Sequence, residues 1–126
     1  MSTIAPVQVS TPYDGPGCQV WVWKNAGSSD TLLPLVCGAG SDKTVAFVKG
    51  SGFGGNASLT GSLDPSLAAG SFCALTNSAR TAISAISSDT LSEVLQDVYA
   101  LLPVLAASAS GVSIWVKLSH IQEYMP

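Results

Sequence analysis

Charge is what this chain has least of. Five Lys and Arg against eight Asp and Glu leave 10% of its 126 residues charged, with a net charge of −3, where an ordinary soluble domain carries about 25%. Five scattered cations cannot neutralise a run of phosphates, which argues against nucleic acid as a partner. Histidine occurs once, as His120 beside Ser119, with no acid spaced to orient it. No nucleophile with its base and no paired acid and base can be read from the sequence, so no catalytic residues are assigned. The three cysteines, Cys18, Cys37 and Cys73, have no CxxC spacing. That excludes the usual zinc sites and leaves small, semi-buried apolar residues in a reducing compartment; neither metal nor cofactor is expected. The glycine-rich "GSGFGG" lacks the GK[ST] ending and following helix of a phosphate loop. The longest uncharged apolar run near the end, "ALLPVLAASASGVSIWV", is broken by Pro103 and Gly111 and falls short of a membrane span. The start, "MSTIAPVQVSTPYDGPG", has no basic stretch leading into an apolar core, so the expectation is synthesis and use in a cytoplasm.

Apolar residues, by contrast, make up 47% of the chain. With so few charges, the surface must be built from Ser, Thr, Gly, Ala and Asn. Such a surface repels neighbours weakly and tolerates burial, which suits an assembly component better than a freely diffusing enzyme. The length fits one domain. Residues 1–17 hold three prolines and read as an extended N-terminal arm, 18–120 as the folded body, and 121–126 as a tail.

Within the body the apolar period is that of strands. "QVWVWK" (Gln19 to Lys24) sets Val20 and Val22 on one face and Trp21 and Trp23 on the other, so both faces are bulky. "TLLPLV" (Thr31 to Val36) is demoted by Pro34 to an edge or a bend. "KTVAFVKG", "NASLTGSL", "SFCALTN", "RTAISAIS" and the closing "GVSIWVKLSH" follow, with turn residues in every gap. Short runs spaced by about 10 to 14 residues are the signature of an antiparallel sandwich or barrel. One segment reads two ways. "SDTLSEVLQDVYALLP" places Leu91, Val94, Leu95, Val98 and Leu102 at helical spacing behind a "TLSE" capping box, which allows a short helix near 89–98; a strand is the alternative. The three tryptophans also stay open between core, protein interface and sugar stacking.

The order of these pieces resembles a known family. "DKTVAFVKGSGFGGNASLTGSLD", then "ALTN", "TAISAIS", "EVLQDVYALLPVLAASASG" and "VSIWVKL", over roughly Ser41 to Leu118, is similar to capsid decoration (cement) proteins of tailed phages. Phe53, Gly54, Gly55, Gly61, Ser62 and Asp64 stand at the places of a G-x-F-G-G-x-x-x-x-x-G-S-x-D stretch, with Ser51 at the first place and Gly52 after it, and Tyr99 and Pro103 at those of a Tyr-x-x-x-Pro segment. The chain departs from the pattern at Leu63, where an asparagine is usual, and at Leu102, where an arginine is common.

The resemblance implies a jelly-roll-like antiparallel β-sandwich in which Tyr99 and Pro103 lie on strands. It also implies a non-enzymatic virion protein, made in the host cytoplasm, that binds the capsid exterior. Its partners would be the major capsid protein and further copies of itself, as a dimer or trimer; neither nucleic acid nor membrane is expected. The candidate contacts are Tyr13 on the arm, Phe53, Gly54 and Gly55 at a glycine tip free to approach another main chain, and Tyr124 on the tail, with Trp21, Trp23 and Trp115 as interface aromatics. A carbohydrate- or receptor-binding module of a tail or head fibre is the alternative and requires a tryptophan exposed beside polar acceptors. A small tail or head-completion protein is a third reading.

Overall fold

The structure, a computed structural model, describes residues 2–9, 18–37, 42–48, 55–106, 109 and 111–119. Tyr13, Phe53, Gly54 and Tyr124 lie outside the described residues, as do His120 and the rest of the tail. The described strands, in chain order, are β1 Thr3–Ile4, β2 Val7–Val9, β3 Gln19–Ala26, β4 Thr31–Leu32, β5 Leu35–Val36, β6 Asp42–Val48, β7 Ala57–Ser62, β8 Cys73–Ala74, β9 Thr90–Val94, β10 Ala100–Leu105 and β11 Val112–Ser119. Five of them form one sheet in the order β2-β3-β11-β6-β9, and four form a second in the order β5-β10-β7-β8. Every pairing inside these sheets is antiparallel, and β1 and β4 add a small parallel pair. The chain passes between layers from β5 to β6, from β6 to β7, from β8 to β9, from β9 to β10 and from β10 to β11, as in Greek-key sandwiches.

Alternation explains why these residues form these strands. Trp23, Val45, Phe47, Ile114, Val116 and Leu118 project inward from the five-stranded sheet and meet Leu35, Leu59 and Leu101 from the other, all essentially sealed from solvent. Each such side chain contributes about 1.5–3 kcal/mol on burial. Trp23 is core, and its indole N–H donates to the Leu33 carbonyl at 2.8 Å. Pro34 separates β4 from β5, as its missing N–H requires.

Residues 2–9 of the expected arm are extended, but they lie along the protein's own sheets. β1 pairs with β4, β2 pairs with β3, and Ile4 packs against the core. "RTAISAIS" forms isolated bridges at Ala82 and Ile86 rather than a full strand. Ile83 between them is buried in the core, its carbonyl accepting from Leu59 N at 3.0 Å and its N–H donating to the Leu75 carbonyl at 2.9 Å.

The helix near 89–98 does not form. Residues 90–94 pair in register with Phe47 to Lys43 of β6, and Leu91, despite its helical spacing, points outward. The turn after β9 is fixed by side chains. The Gln96 amide accepts from Thr76 N and donates to Thr76 Oγ1, both at 2.8 Å, and Asp97 reaches Lys43. A helix would give up the β6 ladder and these contacts together, so tertiary pairing overrides local propensity.

Candidate interaction surface

The register of the five-stranded sheet sets one row of side chains across all five strands on its outer face: Val7, Val22, Trp115, Ala46 and Leu91. None is polar. The next row runs Val9, Val20, Lys117, Thr44 and Glu93. Leu91 is 75% exposed and Val7 60%, while Val22 is buried between its neighbours and Trp115 is half-buried. Val20, Thr44, Ala46, Leu91, Trp115 and Lys117 line an open depression of about 330 Å³. A β-bulge borders the patch, where Lys24 and Asn25 oppose Ser113; Asn25 takes φ 53° and its N–H donates to Ser113 Oγ at 3.2 Å.

The four-stranded sheet is also apolar outside. Val36 and Val104 are exposed there and Leu102 is half-buried, because β10 carries Leu101, Pro103 and Leu105 inward and the alternate residues outward. Thr60 lies beside Leu102 and donates its hydroxyl to the Leu102 carbonyl at 2.7 Å. Leu102, Pro103, Val104 and Leu105, with Ser28, Asp30 and Leu32, border a depression of about 220 Å³. The β5 pairing stops at Leu101, so Pro103 sits where that neighbour has already ended.

Of the aromatics expected at an interface, Trp23 is sealed in the core. Trp21 packs against the core from the same side, with its indole N–H on Gln19 Oε1 at 3.2 Å. Trp115 alone of the three lies on the outer face, among apolar neighbours. Gly55 is a half-buried bend. Sequence reasoning missed Val7, Ala46 and Leu91 as members of this row. The available signal was that strand positions opposite the core-facing ones remain apolar, as the bulky double-faced "QVWVWK" already indicated.

The described end of the glycine motif is structural. A Cβ on Gly61 would come within 2.7 Å of Val98 Cγ2 and 3.2 Å of the Ala100 carbonyl oxygen. Ser62 Oγ and Ser71 Oγ share a hydrogen bond at 2.6 Å, and Ser62 Oγ also accepts from Asp64 N at 3.0 Å. Asp64 Oδ1 accepts from the backbone N and the hydroxyl of Ser66 at 2.9 and 2.8 Å. These bonds, the Ser66 N–H first, hold the Asp64 carboxyl below its ordinary pKa of 3.8.

The chemistry-bearing groups that do meet are at one end of the sandwich. Lys43 Nζ lies 2.9 Å from Asp97 Oδ1, with side chains 1% and 52% exposed respectively. Cys37 is close by, its thiol directed at the Val98 and Tyr99 carbonyls at 3.5 and 3.4 Å. Burial pushes that thiol above its usual pKa, and the Lys43 charge opposes the shift. Among the described residues no three His, Cys, Asp or Glu side chains converge on a common point, and no helix is long and apolar enough to cross a membrane. Comparison with protein-family models, with curated proteins and with solved structures finds no match.

Proposed function

We propose that this chain is a structural component of a phage virion, a decoration protein that binds the exterior of the head and ties neighbouring major capsid subunits together. The observation that carries the reading is the presence of exposed apolar side chains on both broad faces of one sandwich: Val7 and Leu91 on one, Val36 and Val104 on the other. Apolar groups on a surface with so few charges are best accounted for by protein that covers them. A small module with two such faces can contact two neighbours at once. Weak contacts made simultaneously multiply through effective concentration, so a modest area per contact is enough for firm attachment to a repetitive shell. The resemblance of Ser41 to Leu118 to cement proteins points the same way. Trp115 is flanked mainly by Val20, Ala46 and Leu91, with Thr44 and Lys117 as the polar residues of its depression, which favours protein over sugar as what covers it.

The test is a binding titration with heads of the parent phage that lack this chain. Saturable co-sedimentation at a copy number near that of the major capsid protein, with heads that then resist heat to a higher temperature, is the expected result. Absence of the chain from intact particles, or only a few copies in each, refutes the proposal.

A further inference from the structure

We propose that the outer face of the five-stranded sheet binds the same face of a second copy, around a twofold axis running along β6. This deepens the assembly reading and rests on it for the premise that the apolar row is covered by protein. The choice of partner comes from how apolar and charged side chains are placed along the registered rows. With β6 on the axis, β11 of one copy lies over β9 of the other. Trp115 then faces Leu91 of the second copy, twice by symmetry, and Ala46 faces Ala46, small enough to let the layers close to the spacing of about 10 Å usual for stacked sheets.

In the next row the same operation sets Lys117 against Glu93 of the second copy, again twice, with Thr44 between them on the axis. Within one chain Lys117 and Glu93 are two strands apart, about 10 Å, and among the described residues neither forms an ion pair. An axis along β11 would instead stack Lys117 on Lys117 and leave Glu93 opposite Val9. The β6 axis gives two opposite-charge pairs near its centre against one approach of Asp42 to Asp42 farther out, so electrostatics favour β6. Aligned sheets cross at about 30°, which leaves the axis about 15° off the strand and the facing pairs still within reach of a lysine side chain. Asp42 also lies on β6, but about 14 Å along the strand from Ala46, and it is already engaged within its own chain.

Covering three strands leaves Val7 and Val22 outside the contact and buries less than the roughly 800 Å² per partner of a standard interface, so the self-association is a weak one that is strengthened on a shell by its other contacts. Sedimentation equilibrium of the full chain should give a monomer–dimer equilibrium. Leu91→Glu, at an exposed position that leaves the core untouched, should abolish it. Lys117→Glu and Glu93→Lys alone should each weaken it by about tenfold or more, and the double swap should restore it to within about threefold of the parent.

A chain that stays monomeric at all concentrations, or a double swap no better than the singles, overturns the inference. If the monomer binds heads and Leu91→Glu prevents that binding, the face belongs to the shell. The dimer is then wrong while the decoration reading survives. A dimer that responds to the swaps as expected but has no affinity for heads upholds the self-association and removes the decoration reading.

Discussion

Replacing Asp97 by asparagine tests how the sandwich tolerates a lysine inside it. Lys43 alternates inward with Val45 and Phe47 on β6, which places its ammonium between the layers with a side chain 1% exposed. Asp97 supplies a carboxylate at 2.9 Å, and water reaches that carboxylate because it is 52% exposed. The two partners are therefore unequal. Removing the acid leaves a sealed charge, a change that costs about 3–5 kcal/mol for a fully buried pair. Here Asp97 is half in water, and Lys43 keeps a further interaction, so we expect about 2–3 kcal/mol. At about 3–4 °C per kcal/mol for a domain of this size, Asp97→Asn should lower Tm by roughly 6–12 °C. Lys43→Met removes the charge, keeps most of the volume and leaves an aspartate that water can solvate, so its stability should stay within about 1 kcal/mol of the parent. The double variant should resemble Lys43→Met. Urea unfolding at neutral pH of the parent and the three variants reads all of these values. If Lys43→Met is as damaging as Asp97→Asn, the asymmetry argued from burial is wrong.

Gly61→Ala should destabilise by about 1–3 kcal/mol, because the stiff Val98 side chain and the Ala100 carbonyl leave no room for a methyl group. Gly70→Ala, with nothing within 4 Å of the added atom, is the control and should unfold at nearly the parental urea midpoint. Asp64 has its carboxyl pKa lowered by the Ser66 bonds, so its stabilising effect is complete above 3.8 and fades as pH falls through the depressed folded value. Asp64→Asn should accordingly flatten the loss of stability on acidification below pH ~4, read from urea midpoints across pH. A thiol reagent at pH ~8 should label exposed Cys73 first and Cys37 last, since burial disfavours the Cys37 thiolate; mass spectrometry of timed samples gives the order.

The two-residue period of the sequence was enough to establish an antiparallel sandwich, because alternation in "QVWVWK", "KTVAFVK" and "GVSIWVKL" can bury one face only as strands. It also placed the break at Pro34, where the chemistry is local. Residues 89–98 needed the tertiary structure. Their leucine spacing suits a helix, and the strand wins only because β6 offers a ladder and Thr76 and Lys43 offer partners from distant parts of the chain. The interaction surface divides in the same way. That both faces of β3 are apolar is legible from Val20 to Trp23. That Val7, Val22, Trp115, Ala46 and Leu91 form one continuous row is not, because a row across a sheet is set by the register of strands far apart in sequence. Period determines which face a side chain takes, whereas register determines its neighbours, and only the folded chain fixes register.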